Sequence, residues 1–174
     1  RSPLVQLLYG ETLWKTGDTG LARQAMRTAA DLDPTDLRAR WAGLLNEQPT
    51  LRIRNAAQAL GVTELELLVL GLGETATRLR PEFAAILGQV EKLGHVMALT
   101  RNDDVVHERK GTYLNPSLGQ GPVGLFVGDD IDLRIFWGPW GHAFAVNEEG
   151  KGGARLSLQF FGHDGEAIHK IYLT

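Results

Sequence analysis

The first half of the chain has the apolar spacing of helices. From residue 4 to residue 93, apolar residues recur every three or four positions, which predicts helices over residues 4–16, 20–31, 35–48, 53–60, 64–71 and 81–93. Gly61 and Gly94 follow two of these segments, and glycine commonly terminates a helix. Thr63 and Glu66 have the spacing of a capping box, so a helix is predicted to begin at residue 64.

The second half of the chain alternates between apolar and polar residues. This period of two predicts strands over residues 95–101, 104–109, 123–127, 131–137, 142–146, 155–161 and 167–173. Short turns between several of these segments predict hairpins and an antiparallel meander. The predicted fold class is therefore α+β, with helices over residues 36–94 followed by a sheet of about seven strands over residues 95–174.

Residues 1–35 carry a pattern of their own. Six of them fall at the offsets of a tetratricopeptide repeat (TPR), namely Gly10, Leu13, Ala22, Met26, Ala29 and Pro34. A single repeat does not bury its own apolar face. We therefore predict a TPR-like helical appendage that either docks on the rest of the chain or belongs with neighbouring repeats.

Composition excludes several classes of protein. The 174 residues include no cysteine, which rules out a disulfide scaffold, a thiolate metal site and a cysteine nucleophile. The net charge of −3 argues against a broad nucleic-acid-binding surface. There is no apolar run of about 18 residues, so we expect no membrane span. The first residues lack a signal-peptide layout, and we expect a cytoplasmic location.

Residues 52–63 have the order of helix, glycine turn and second helix that is typical of a helix-turn-helix motif. A recognition helix offers Arg, Asn, Gln or Lys to base edges. The second helix here begins with Glu64 and Glu66 and continues with a leucine-rich face, which indicates a core helix and repels phosphate. We therefore do not expect nucleic-acid binding, and a DNA-binding regulator stays the third-ranked hypothesis.

The strands also predict one face with binding chemistry. Alternation assigns to it cationic, hydrogen-bonding and aromatic side chains, namely Arg134, Phe136, Gln159, Phe161 and, depending on strand register, His107, Lys170 and Tyr172. Such a face suits a flat, apolar ligand with two carboxylates, and a histidine in it can ligate a metal. The alternative is an ordinary solvated face of an antiparallel sheet.

The remaining histidines are predicted to be structural. His142 and His169 fall on strands as ordinary sheet residues, and His163 falls in a hairpin turn. No pair of histidines has the His-x-x-x-His spacing of a helical zinc site, and no nucleophile elbow or phosphate-binding loop occurs.

Five stretches of the second half are more specific than these spacings. They read TRNDDVVHE at residues 100–108, GTY at 111–113, IDLRIF at 131–136, SLQFFGHDG at 157–165 and KIY at 170–172. In order and spacing they resemble the first repeat of the cytoplasmic hemin-transport and hemin-degrading factor family. The resemblance extends from about residue 37 to residue 174.

The resemblance implies that heme sits between the helices and the sheet. It places Arg134 on the distal side of the iron, with Phe136 as a pocket aromatic. The family's proximal histidine belongs to a second repeat, so His107 is the alternative axial and metal ligand in this half. A guanidinium is a permanent hydrogen-bond donor, which makes Arg134 the candidate catalytic residue. The predicted heme-binding set is Arg134, Phe136, His107, Gln159, Lys170 and Tyr172.

From the resemblance we expect a heme-binding protein of bacterial heme uptake and iron acquisition. Heme is either a cargo that is passed to a downstream heme oxygenase or a substrate that is degraded to release iron, so enzyme activity stays open. The expected partners are heme, a second copy of the chain in a homodimer, and either a heme-uptake transporter or that oxygenase. The second-ranked hypothesis is a protein–protein interaction module, in which the N-terminal helices recruit a partner.

Overall fold

The computed structural model describes residues 34–119, 121–150 and 153–174. Their chain divides into two compact units. Of the described residues, those from Pro34 to Leu72 form one unit with Asp164–Glu166, and those within 73–163 and 167–174 form the other. Of the six positions of the predicted TPR-like pattern, Pro34 lies within the described residues and the other five lie outside them. In the part of the chain that the structure describes, no helix has both the length and the apolar character needed to cross a bilayer.

The first unit is helical. It contains α1 (Pro34–Glu47), α2 (Ile53–Leu60) and α3 (Glu64–Val69), close to the predicted segments. Small residues Ala56 and Ala57 of α2 let the helices approach closely, and they pack with Leu37, Leu67 and Leu70 in one apolar cluster. The cluster also takes in partly buried apolar residues, so this unit has a core of its own.

Both ends of the α2–α3 connection are fixed by local chemistry. Gly61 ends α2 in the left-handed region at a φ of 71°, where glycine carries no steric penalty. The Thr63 hydroxyl accepts a hydrogen bond from the Glu66 backbone N–H, and the Glu66 carboxylate accepts one from the Thr63 N–H. The predicted capping box is therefore confirmed.

The helix-turn-helix arrangement forms, but it does not present a recognition helix. Every residue of α3 is buried, including Glu64 and Glu66, which are 2% and 0% exposed. A helix that is buried all round cannot enter a DNA groove. This agrees with the prediction that α3 belongs to the core.

The second unit contains the sheets. A six-stranded antiparallel sheet has the order β1-β6-β7-β8-β2-β3, and β4 pairs with β5 in a separate two-stranded sheet. The strands are β1 (Ala76–Leu79), β2 (Val96–Arg101), β3 (Val106–Gly111), β4 (Val123–Phe126), β5 (Leu133–Phe136), β6 (Trp140–Gly150), β7 (Gly153–Gly162) and β8 (Ala167–Leu173). A short helix, α4 (Phe83–Leu87), and a 3-10 turn (Val90–Leu93) lie between β1 and β2.

The α+β class is confirmed, with two corrections inside it. Residues 81–93 form α4 and a separate 3-10 turn rather than one helix, because Gly88 and Gln89 interrupt the helical spacing. β1 lies within the region predicted as helical, and its strand conformation depends on pairing with β6, from Ala76 opposite Val146 to Leu79 opposite Ala143. Strand formation at β1 is decided by this long-range pairing and not by a local signal in the sequence.

The core of the second unit joins the two sheets. Val96, Ala98, Ala143, Phe160 and Ile171 extend from the six-stranded sheet into one buried cluster. The small sheet and the segments next to it contribute Tyr113, Phe126, Ile131 and Ile135 to the same cluster. Because Ile135 points into this core, its neighbours on β5 point away from it.

Candidate functional site

Arg134 and Phe136 lie on the outer face of the two-stranded sheet. On this face, Arg134 is opposite Leu125 and Phe136 is opposite Val123. The Phe136 side chain is 59% exposed, while Ile135 between them is 6% exposed. Alternation along β5 therefore anchors the strand by Ile135 and leaves a cation and an aromatic ring side by side outside the core. We call the four residues Val123, Leu125, Arg134 and Phe136 the β5 face.

The β5 face is apolar apart from its one guanidinium. In the described part of the chain, no hydrogen bond or ion pair to Arg134 is found. An exposed phenylalanine and two partly exposed aliphatic residues supply contact area beside a free donor group. This combination suits a flat apolar molecule that carries oxygen acceptors.

The predicted single face is not formed, because β5 does not join the six-stranded sheet. Arg134 and Phe136 therefore lie apart from Gln159 and Phe161, which belong to β7. Pairing between distant strands decides which faces coincide, and alternation within a strand carries no information about it.

Gln159, Lys170 and Tyr172 do share one face of the six-stranded sheet. Gln159 is directly opposite Lys170, and Ser157 is opposite Tyr172. The three side chains are 1%, 6% and 8% exposed, so this is not the solvated face of the alternative hypothesis. The Gln159 amide donates to the Ser157 hydroxyl at 3.0 Å, and the Arg155 guanidinium lies 3.9 Å from the centre of the Tyr172 ring.

His107 faces the opposite side of the same sheet. It lies on edge strand β3 opposite Thr100, whereas Lys170 is opposite Leu99, one position along β2. His107, Thr100 and Arg109 line a cavity of about 190 Å³, and Arg109 forms an ion pair with Asp130. Pockets for drug-sized ligands are usually ~300 Å³ or larger, so this cavity does not enclose a large planar molecule.

Next to that cavity lies a buried hydrogen-bond network that the sequence did not predict. One His169 ring nitrogen, Nε2, is 2.6 Å from the Tyr113 hydroxyl, and Nδ1 is 2.7 Å from the Thr100 hydroxyl. Burial, with a smaller contribution from His107, lowers the pKa of His169 to about 4. Burial also raises the pKa of the Tyr113 hydroxyl above its usual value. His169 is therefore neutral at pH 7 and is held by both ring nitrogens.

A second cavity lies beside Trp137, the residue that follows Phe136. Its volume is about 430 Å³, and it is lined by Pro81, Glu82, Phe83, Ala84, Ala85, Gly119, Gly121 and Trp137. Phe83 and Trp137 both stack edge-on against Trp140, at 5.5 and 5.6 Å between ring centroids. This cleft is mostly apolar and falls in the size range of small-molecule sites. No pattern in the sequence predicts this cleft, since Phe83 and Trp137 on its two walls are about fifty residues apart.

Comparison with known proteins assigns the chain to a family. The model of the haemin-degrading HemS.ChuX domain matches residues 61–174. The chain belongs to this family. The hemin transport protein HmuS of Yersinia pestis is 41% identical over 129 residues, which are 74% of this chain and 37% of HmuS. The resemblance noted from the sequence motifs is thereby confirmed.

Solved structures of HemS.ChuX relatives share the fold. The crystal structure of holo-PhuS, a heme-binding protein from Pseudomonas aeruginosa, matches with a TM-score of 0.78 and 45% identity, over 82% of this chain and 42% of PhuS. ChuS, a heme-degrading enzyme of Escherichia coli O157:H7, matches with a TM-score of 0.76 and 32% identity, over 82% of this chain and 43% of ChuS. The chain therefore spans less than half the length of these relatives.

Proposed function

We propose that this chain binds heme on the β5 face and acts in bacterial heme utilisation. The observation that carries the proposal is the pairing of an unpartnered Arg134 with an exposed Phe136 on one apolar face. The ring of Phe136 and the side chains of Val123 and Leu125 offer contact area to a porphyrin, and Arg134 offers hydrogen bonds. The names of HmuS and PhuS, a hemin transport protein and a heme-binding protein, support heme as the ligand.

Heme brings the iron and its oxidative chemistry, and the chain supplies orientation and polarity. In this proposal Arg134 would direct its N–H donors to the bound porphyrin. Phe136 packs on the ring and excludes water from that side. His107, the axial ligand expected from the resemblance, lies on β3 and lines the cavity beside Thr100 and Arg109, not the β5 face. The proposal therefore takes the second contact to heme from the further surface proposed below.

The proposal gives a secondary role in heme binding to Gln159, Lys170 and Tyr172. They are buried, whereas Arg134 and Phe136 are exposed. First contact with heme is therefore assigned to the β5 face.

Transport and degradation are both activities of relatives, as the names of HmuS and ChuS state. We propose the carrier role first, because one open face with one donor suits reversible binding. Arg134 is also the residue that degradation would use, as a fixed donor beside the iron. The two roles are separated by adding reductant and oxygen to the heme complex in the presence of catalase. A stable Soret band supports the carrier, and its loss with formation of a free tetrapyrrole product supports the enzyme.

We further propose a cytoplasmic location and a second heme-contacting surface from outside these 174 residues. The β5 face covers one side of a porphyrin, so the other side needs a partner: a second copy of the chain, or a protein that delivers or receives heme. Light scattering with and without hemin tests the first of these. A doubling of mass with hemin supports a homodimer, and an unchanged mass favours delivery to a heme-uptake transporter or a heme oxygenase.

Hemin titration of variants tests the binding site. Arg134→Ala and Phe136→Ala are expected to weaken hemin binding by about tenfold each, the size of one charged hydrogen bond or one aromatic contact. Arg52→Ala is the matched control, because Arg52 is another exposed arginine. Equal affinity of all three variants and the wild type would remove the β5 face from the site. Failure of the wild-type protein to bind hemin at all would favour the interaction-module hypothesis.

A further inference from the structure

Three nitrogen-bearing side chains lie near the β1 edge of the six-stranded sheet, two on strands and one, His163, in the turn after β7. Arg78 on β1 is opposite Phe144, so it is a diagonal neighbour of His142, two residues earlier on β6. The rings of His142 and His163 are 6.4 Å apart between centroids, at 75° to each other. None of the three belongs to the β5 face.

The two histidines carry buried nitrogen atoms with nothing to bind. His142 is 3% exposed, and in the described part of the chain neither of its ring nitrogens has a hydrogen-bond partner. The Nδ1 atom of His163 is also buried and unpartnered there. Buried polar groups in folded proteins are almost always satisfied. The unpartnered ring nitrogens of His142 and His163 are therefore available to a bound group.

The backbone holds this cluster in place. The pairing of β6 with β7 shifts register between Trp140 and His142, which indicates a bulge at Gly141. A Cβ at residue 141 would lie 2.9 Å from the His163 backbone nitrogen and from its Nδ1, so only glycine allows this approach. The His163 N–H donates to the Pro139 carbonyl at 3.2 Å and fixes the turn. The two rings are thus positioned by local geometry rather than by each other.

The charges favour an anion over a metal ion. Arg78 is exposed, and no hydrogen bond or ion pair to it is found among the described residues. Burial first, then Arg78 and His163, lowers the pKa of His142 to about 4, so that three groups able to carry positive charge meet here. A cation would be repelled by Arg78. No cluster of three metal-ligating side chains occurs within residues 34–119, 121–150 and 153–174.

We propose that Arg78, His142 and His163 form a binding site for an oxyanion, a carboxylate or phosphate group that enters from the exposed Arg78 side. The Arg78 guanidinium offers a fork of donors that matches either group. The imidazole rings of His142 and His163 offer N–H donors from the buried side of the site, and the bound anion accepts their hydrogen bonds. A bound anion stabilises the charged form of His142, so binding is accompanied by proton uptake.

Nuclear magnetic resonance of the histidine ring signals tests the site with two probes, sodium acetate and sodium phosphate, titrated separately at matched ionic strength. We expect a saturable shift of the His142 signals. Acetate keeps its charge between about pH 6 and pH 8, and its affinity is expected to be about fivefold higher at the lower pH, because His142 gains a proton on binding. A shift with phosphate alone or with acetate alone tells which oxyanion the site takes.

Variants decide whether the three residues act together. Arg78→Gln is expected to weaken anion binding by about tenfold, the worth of one hydrogen bond to a charged group, and His163→Asn by about fivefold. Lys110→Gln removes one exposed positive charge at the opposite edge of the sheet and is expected to leave affinity unchanged. The proposal is overturned if Arg78→Gln and Lys110→Gln behave alike, if neither anion shifts the His142 signals, or if Zn²⁺ shifts them and the anions do not.

Discussion

Arg134 and Phe136 project from the same side of β5, and Ile135 between them is locked into the core. The strand is therefore held by one residue and exposes the two beside it. This separation of anchoring from binding residues makes the two roles testable by substitution at consecutive positions.

Substitutions at two neighbouring positions of β5 are expected to have very different effects on the free energy of unfolding. Ile135→Ala should lower the free energy of unfolding by about 2–5 kcal/mol, because it empties part of a packed core. Phe136→Ala should change it by about 0.5 kcal/mol or less, since exposed side chains contribute little packing. Urea denaturation measures both. A large loss of stability in Phe136→Ala would show that its ring is part of the core and not a ligand contact.

The Tyr113–His169–Thr100 network predicts unequal effects of two deletions. Tyr113→Phe leaves the buried Nε2 of His169 without a partner and should cost about 1–3 kcal/mol. Thr100→Val should cost about 0.5 kcal/mol or less, because Thr100 is exposed and water can replace its hydroxyl. Both variants are compared by chemical denaturation at neutral pH. Equal costs would contradict the assignment of Tyr113 as the buried partner.

Stability is expected to fall in mild acid. His142 and His169 have pKa values lowered from 6.5 to about 4 by burial, so the unfolded chain takes up their protons first as the pH falls. The free energy of unfolding is at its full value with respect to these two histidines above pH 6.5 and falls between pH 6.5 and pH 4. The loss amounts to roughly 3 kcal/mol per histidine at most.

Denaturation curves at several pH values test this expectation. His169→Gln should flatten the dependence of the unfolding free energy on pH. A stability that is constant from neutral pH to about pH 4 would contradict the burial of neutral histidines.

The capping box at the start of α3 should contribute measurably. Thr63→Ala removes the acceptor of the Glu66 N–H and should cost about 0.5–2 kcal/mol. Glu66→Gln keeps an acceptor for the Thr63 N–H and should cost less, which makes it the matched control. Thermal unfolding compares the two. A larger loss in Glu66→Gln would indicate that the carboxylate charge, rather than the cap, is what matters.

Local features of the fold were readable from the sequence. Helix α2, the strand β8 and the capping box follow from signals within a few residues of each other, and all three were predicted at or near their observed bounds. β1 was missed because its conformation comes from pairing with β6, about seventy residues away. Short strands of this kind are decided by tertiary contacts.

In the candidate site, too, local relationships could be predicted from the sequence and long-range ones could not. Alternation correctly placed Arg134 and Phe136 on one side of their strand, since that relationship is local. It could not show that β5 leaves the main sheet, or that His107 faces away from Lys170, because strand order and register are properties of the whole sheet. The partners of His169 were equally hidden, as Tyr113 lies 56 residues away in sequence.

The most direct test of the heme proposal is a map of paramagnetic broadening by ferric hemin on the amide resonances of the protein, with zinc protoporphyrin as the diamagnetic reference. We predict that broadening centres on residues 123–125 and 134–136 and weakens in Arg134→Ala. Broadening confined to other residues, or none at stoichiometric hemin, would contradict heme binding on the β5 face.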